Sequence, residues 1–411
     1  MKISCIGAGP AGLYFAISAK RRDPAHHITV YERAAEGATY GWGVVYWDNL
    51  LDTLYRNDME SARRIRAASQ LWQEQDISLH QRSAYLAGYG YSITRAALIE
   101  ILTARARALG VEVLHNQDTT EPSHLHDADI VVAADGAAST VRREHQGEFG
   151  TQLTHGRNRY IWLGTNKLFN RFTFAFQRTD PGWLWFHAYP SSADTSTCII
   201  ECTEETWQAH GFAARNADDT TRLLEKIFHD QLDGHSLISG TTGPTARWQQ
   251  FLEVSNSSWY HDNLVLLGDA AHTTHFTIGS GTRLAMIDAI ALAHSIYENR
   301  NNPTAALRTY DQRRRLALES TQMSARASMD WFENIEHYLD QNAVDFAYSM
   351  SSRQGEQPPW RYQKHLANQI VPTRLARRHY NNILRWHGAA RRGQTPLLPA
   401  PLLRPITHNN R

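Results

Sequence analysis

Cysteine is scarce in this chain: Cys5, Cys198 and Cys202 are the only three among 411 residues. Three thiols build no disulfide framework, and a reducing, cytoplasmic location is expected. Cys198-Ile199-Ile200-Glu201-Cys202 reads as a strand, and with no second cysteine pair no metal site is expected. Long apolar runs are lacking as well. None approaches the roughly 20 residues that cross a bilayer, so no membrane partner is expected. MKISCIGAGP enters a β-prone run almost at once, which leaves no room for a signal peptide. Internal repeats and low-complexity segments are missing, which excludes solenoids and disordered arrays. What remains is an ordinary globular composition, 42% hydrophobic, long enough for two or three domains at about 150 residues each.

Net charge is also small, +1, but it is unevenly placed. From Ser351 onward eleven Lys/Arg stand against one acid, Glu356, a local +10; the first 350 residues carry 31 basic and 40 acidic side chains. A basic tail on an acidic body suits an anionic partner, and it equally suits a solvated helix face docked on that body. No nucleic-acid-binding motif accompanies the charge, so nucleic acid is not an expected partner.

The opening reads strand, turn, helix, strand: Lys2–Ile6, Gly7–Gly12, Leu13–Arg22 and His27–Glu32. Helical periodicity is expected over Met59–Gln75 and Ser92–Leu109, and Ile130–Ala134 is a wholly apolar strand. Between Arg159 and Cys202 the segments YIWLG, FTFAFQ, WLWFHAY and STCIIEC predict an antiparallel sheet. A helical stretch (Asp218–Gln231), a buried strand (Asn263–Leu267) and two long helices (Thr282–Tyr297, Pro303–Trp331) follow, then an Arg-rich helical tail.

Gly7-Ala8-Gly9-Pro10-Ala11-Gly12 is a GxGxxG between a strand and a helix. Gly7 permits the tight turn, Gly9 lets backbone approach a pyrophosphate, and Gly12 lets helix and strand pack closely. Pro10 and Ala11 open the helix, whose N-terminus offers N–H donors and positive dipole. Glu32, with Arg33 beside it, ends the second strand 20 residues past Gly12. A carboxylate there accepts ribose hydroxyls and disfavours a 2′-phosphate.

Two further motifs are Asp135-Gly136-Ala137-Ala138-Ser139-Thr140-Val141-Arg142, of the form DGxxSxxR, and Gly268-Asp269-Ala270-Ala271-His272. With all three in this order, the chain resembles the single-component flavin-dependent aromatic hydroxylases, the 4-hydroxybenzoate hydroxylase-like family. The string GDAAHTTHFTIGSGT, Gly41-Trp42-Gly43-Val44-Val45, Arg157-Asn158-x-Tyr160-Ile161-Trp162 and Trp331-Phe332-Glu333-Asn334-Ile335 look like its salicylyl-CoA 5-hydroxylase and 2-aminobenzoyl-CoA monooxygenase branch. Violacein-pathway hydroxylases are cousins. The likeness covers roughly residues 1–350. It departs from many relatives in lacking a proline shortly after His272.

The resemblance implies an α/β fold, α+β overall. A Rossmann-type FAD-binding domain (1–155 and 258–345) is interrupted by an antiparallel β-sheet substrate domain (156–257), with a basic helical C-terminal tail (346–411). It implies FAD as cofactor, with Asp269 on the ribityl chain, Asp135 near the pyrophosphate, and Gly279, Ser280 and Gly281 in a loop beside the flavin. Arg95, followed by Leu98, resembles the family's FAD-contacting arginine or is a surface arginine on an amphipathic helix. The implied cycle has NADH or NADPH, bound transiently, reduce FAD; O₂ adds at flavin C4a and the hydroperoxide hydroxylates an electron-rich ring.

An apolar wall from the aromatic sheet would keep water out, with Trp162, Phe174, Phe176, Trp183, Trp185, Phe186 and Tyr189 as candidates; alternation lets at most half face the site. Trp185, Tyr189 and Phe276 are the expected substrate contacts. A base that draws a proton from a ring phenol or amine would raise ring electron density. His275 is the first candidate and His187 the second, whereas His272 suits a structural or FAD-contact role. Arg353, Arg361, Lys364, Arg374, Arg377 and Arg378 are expected to clamp the phosphates of a CoA thioester. Salicylyl-CoA is the expected substrate, and a free aromatic such as tryptophan or indole is the alternative. A flavin halogenase is disfavoured because Trp183-Leu184-Trp185-Phe186-His187 lacks the Ile-Pro of that family's motif. A flavin-bound regulatory protein is the non-enzymatic alternative, and a homodimer is compatible with the sequence.

Overall fold

A computed structural model of the chain describes residues 1–38, 41–117, 127–240, 246–355 and 357–395. The first sheet has six strands in the order Tyr260–His261, Leu264–Leu266, Ile130–Ala133, Lys2–Ile6, His27–Tyr31, Glu112–Leu114. All neighbours run parallel except the Tyr260–His261 edge. Gly7 leaves the first strand at φ 103°, and a Cβ there would lie 2.4 Å from the Ala134 carbonyl oxygen. At Gly12, within the helix Pro10–Arg22, a Cβ would lie 2.1 Å from the Gly7 oxygen and 2.9 Å from Cys5 Sγ. Only glycine lets this helix sit so close to its strand.

The second sheet has nine strands. Eight follow the order Leu237–Ile238, Thr151–Thr165, Ser196–Cys202, Trp183–Pro190, Phe172–Arg178, Gln70–Leu79, Arg82–Thr94, Gly43–Tyr46, and Gln249–Asn256 pairs onto Thr151–Thr165. Three of its strands thus come from the first 94 residues, and Thr151–Thr165 runs across the expected boundary at 155/156. Gln70–Leu79 corrects the helix expected over Met59–Gln75, which ends at Ala67. Ile77 and Leu79 alternate with Asp76 and Ser78, and partner strands on both sides supply the hydrogen bonds. Pairing of this kind outweighs a weak helical period. Likewise Ser92–Thr94 completes a strand before the helix Arg95–Ala108, which Thr94 caps through the Ala97 N–H.

Strand alternation separates two faces. Ile161, Leu163, Ala175, Phe186 and Ile200 pack into a core with Leu224 and Phe228. On the opposite face, Trp162, Phe172, Phe174, His187 and Tyr189 look toward the first sheet's loops. Cys198 and Cys202 are buried on the core side, where burial raises their thiol pKa. Among the described residues no helix is long and apolar enough to cross a membrane.

The chain continues through the long helix Pro303–Glu333 and the helices Ala343–Ser352, Trp360–Ala367 and Val371–Arg391. The last of these docks on the second sheet. Arg374 Nε and Nη2 donate to Glu74 at 2.8 and 2.7 Å, Arg378 Nε donates to Gln73 Oε1 at 2.8 Å, and Arg392 reaches Asp48 and Asp52 at 2.8 and 2.6 Å.

Gly12→Ala should lower the thermal midpoint by a few degrees, because overpacking costs on the order of 1–3 kcal/mol. A melt superimposable on that of the parent protein would show the strand–helix approach to be looser than described.

Candidate functional site

One cavity of about 880 Å³ lies between the loops of the first sheet and the aromatic face of the second. Ala137, Ala138, Arg95 and Asp269 line it, as does the loop Gly279–Thr282 that starts the helix Gly281–Glu298. Tyr160, Trp162, Phe172, Phe174, His187 and Tyr189 form its wall; Phe276, Thr277 and Arg353 also border it. Tail residues Trp360, Arg361, Lys364 and Arg377 complete the lining, and Trp360 is exposed.

The nucleotide side is built from backbone. Gly9 and Gly136 have no heavy atom within 4 Å of a built Cβ, so both face open space. Glu32 accepts the Ala8 N–H on one oxygen and the Ala34 N–H on the other, both at 2.9 Å. It braces the glycine turn and keeps acceptor lone pairs for a diol. Arg33 is exposed and outside the cavity. Pro10 is the first helical residue and Ala11 is buried. A Cβ on Gly268, at φ 62°, would come 2.9 Å from the Ala11 Cβ, so the GD turn seats directly on the first helix. Asp135 Oδ2 accepts the Thr140 N–H at 2.8 Å, while its Oδ1 is buried without a partner. Arg142 donates to the carbonyls of Ala137 and Ala270 and ties the DG loop to the GD loop.

Arg95 faces the cavity, and no described residue forms a hydrogen bond or ion pair with its guanidinium. Burial lowers its pKa, and the carboxylates of Asp269 and Glu32 act in the opposite direction. Enclosure also raises the Asp269 carboxyl, against the pull of Arg95 and His272. An unpaired cation, an orphaned carboxylate oxygen and glycines facing open space form a cradle for an anionic dinucleotide. These residues fit FAD.

His272 does not line the cavity. Its Nε2 lies 2.7 Å from Asp288 Oδ2, Arg314 Nε donates to Asp288 Oδ1 at 2.7 Å, and Trp259 stacks on its ring at 4.9 Å. This buried triad anchors the GD turn to the helix Gly281–Glu298.

Besides Arg33, four expected site residues lie elsewhere. His275 is buried behind Phe276, against Phe251 at 4.8 Å, with Nδ1 2.8 Å from Thr277 Oγ1; its ring does not reach the cavity wall. Trp185 is on the correct face of its strand but is covered by Phe332 and donates to Glu201 at 3.1 Å. Arg374 and Arg378 are committed to docking the tail. By contrast His187, Tyr189, Phe276, Gly279, Ser280 and Gly281 do meet at the cavity. Sequence reasoning missed Trp47, Trp72 and Gln75, which line it from the first 94 residues. The alternation over 75–79 was the available signal.

Burial sets the electrostatics. His187 is pushed down to about 3 by burial, with Arg353 adding to the effect. His275 is pushed down to about 3 by burial, with His187 and Arg353 adding. Both imidazoles are neutral at physiological pH, and His187 Nε2 has no hydrogen-bond partner. Below the ordinary histidine value of 6.5 the unfolded chain takes up protons that these folded rings refuse. Stability present above pH 6.5 is therefore lost as pH falls toward 3, by about 1.4 kcal/mol per pH unit for each histidine. Denaturant melts at pH 7, 6 and 5 should show this decline, and His187→Phe should flatten it. Equal stability at all three values in the parent protein would contradict the assignment.

Comparison with known proteins agrees with this geometry. The FAD binding domain family matches residues 1–325. Salicyloyl-CoA 5-hydroxylase of a Streptomyces species is 37% identical over 348 residues, 82% of this chain and 66% of that protein. The chain therefore spans about two-thirds of that relative's length. A 3-hydroxy-4-methyl-anthranilyl-[aryl-carrier protein] 5-monooxygenase of Streptosporangium sibiricum is 32% identical over 375 residues, 91% of this chain and 100% of that one. The solved structure of 2-methyl-3-hydroxypyridine-5-carboxylic acid oxygenase shares the fold, with TM-score 0.67 at 20% identity, covering 86% of this chain and 98% of that chain. The chain belongs to the FAD-dependent aromatic monooxygenases that carry this FAD-binding domain.

Proposed function

We propose that the protein hydroxylates an aromatic acyl-CoA thioester, salicylyl-CoA first among candidates, with NADH or NADPH as reductant. One observation carries the reading: Arg361, Lys364 and Arg377 of the basic tail line the same cavity as the Gly279–Thr282 loop. Cations around an open mouth suit the 3′-phosphate and pyrophosphate of CoA, and the aromatic wall suits the ring. The clamp is thus three residues of the six expected, since Arg374 and Arg378 dock the tail and Arg353 lies beside His187.

FAD supplies the redox chemistry with O₂ when bound. The glycine turn, Glu32, Asp135, Arg95 and Asp269 would hold it. Trp162, Phe172 and Phe174 would exclude water over the ring. His187, neutral and with Nε2 free, would orient a ring hydroxyl by accepting its hydrogen bond or donating to its oxygen. His275, cut off from the cavity, would position the loop through Thr277.

A carrier-bound aryl thioester is the second reading. It is favoured by Ile370, Val371 and Leu375, all exposed at the tail, and by the name of the relative that the chain covers in full.

NADH and NADPH oxidation, with product masses, should be measured on flavin-loaded protein against aryl-CoA thioesters, carrier-bound aryl thioesters and free acids. The CoA thioesters should turn over and the free acids should not. Arg361→Ala and Lys364→Ala should raise the thioester KM on the order of tenfold with little change in kcat. Equal turnover of free salicylate would end the CoA reading.

A further inference from the structure

Arg353 occupies a place that a phosphate clamp does not explain. It follows the helix Ala343–Ser352 and lines the cavity alongside His187 and Phe276. Its Nε donates to Ser328 Oγ at 2.8 Å, Nη2 to the Thr277 carbonyl at 2.9 Å, and Nη1 to the Met350 carbonyl. The face of Phe332 lies 5.6 Å from its central carbon. All these partners are neutral, and among the described residues no carboxylate forms an ion pair with it. A guanidinium has five N–H donors; three are used, which leaves one on each terminal nitrogen. The neighbouring titratable rings, His187 in the sheet and His275 in the loop, are both neutral. Among the described residues, the aromatic end of the cavity therefore carries a positive charge with no carboxylate close enough to pair with it. An uncompensated charge in so enclosed a place is costly unless a ligand brings its opposite.

We propose that Arg353 pairs with the ionised ring oxygen of the aromatic substrate, so that the ring is held as a phenolate. On binding, the O–H bond of the phenol breaks, the oxygen keeps the electron pair, and the proton leaves to solvent through the open mouth. No other bond changes. His187 positions the oxygen but does not keep the proton, and Arg353 balances the charge left behind. A phenolate oxygen pushes electron density into the ring, as an electrophilic hydroxylation requires. The inference rests on this cavity being the aromatic site of a flavin hydroxylase and is independent of the thioester.

The test uses flavin-loaded protein without reductant and two probes that carry no CoA, 4-nitrophenol and nitrobenzene. At a pH one unit below the free pKa of 4-nitrophenol, the parent protein should bind it with the phenolate absorption band, at least tenfold more tightly than nitrobenzene. In Arg353→Gln the band should vanish and 4-nitrophenol affinity should fall at least tenfold, while nitrobenzene binds as before, which also reports an intact fold. Arg353→Lys should keep part of the band. Three results would overturn the proposal: no phenolate band in the parent protein, equal losses for both probes in Arg353→Gln, or an unchanged band with a shifted flavin reduction potential. Failure of the thioester panel alone would leave this result standing.

Discussion

Arg142 spans two carbonyls, those of Ala137 and Ala270, and the geometry of the nucleotide cleft follows from that bridge. The DG loop hangs from the strand Ile130–Ala133 and the GD turn from Leu264–Leu266; these strands pair in parallel, so both loops leave the sheet at the same end. Parallel pairing alone leaves such loops free to splay. A buried guanidinium that donates to both removes this freedom, because withdrawing it would strand two carbonyls and a cation away from water. The His272–Asp288–Arg314 triad does the same for the other side of the GD turn. Arg142, bonded to carbonyls of both loops, and Arg314, bonded to Asp288, fix the two sides of the GD turn.

The aromatic half of the cavity obeys a different rule. Its strands present rings to the cavity on one side and a mixed aliphatic and aromatic core to the other, and no carboxylate among the described residues forms an ion pair with His187 or Arg353. In such a medium electrostatic effects are large and selective. It keeps two histidines neutral while a cation survives beside them through three hydrogen bonds to neutral acceptors. The site is thus polarised toward negative charge before any ligand arrives.

Much of this was legible in the sequence, because the cofactor side depends on backbone. Glycines at 7, 9, 12, 136 and 268 and carboxylates at 32, 135 and 269 have positions fixed by turn chemistry, and spacing reports turn chemistry directly. Side-chain direction is a tertiary property and was harder to read. His275 and His187 are equal as letters, yet one points behind Phe276 and the other into the cavity. The charge of the tail could not be divided in advance either. Arg374 and Arg378 differ from Arg377 only in the helix face that meets Glu74 and Gln73. The strand Gln70–Leu79 was hidden because a helical period runs into it, and one of its two partners, Phe172–Arg178, lies far along the chain.

That pairing bears on how the molecule is made. Gln70–Leu79 forms a local hairpin with Arg82–Thr94, but its other edge is covered only by Phe172–Arg178, in parallel. During synthesis the hairpin emerges early and waits, with backbone donors and acceptors unpaired along one side, until much of the Rossmann half has been translated. An uncovered edge invites another chain to add itself. The bulge at Gln73–Gln75 interrupts the strand at this stage, and the carboxylates of Glu74 and Asp76 still lack Arg171, which arrives only with the later strand. They make the waiting edge a poor template for a stranger while leaving it open to its own later segment.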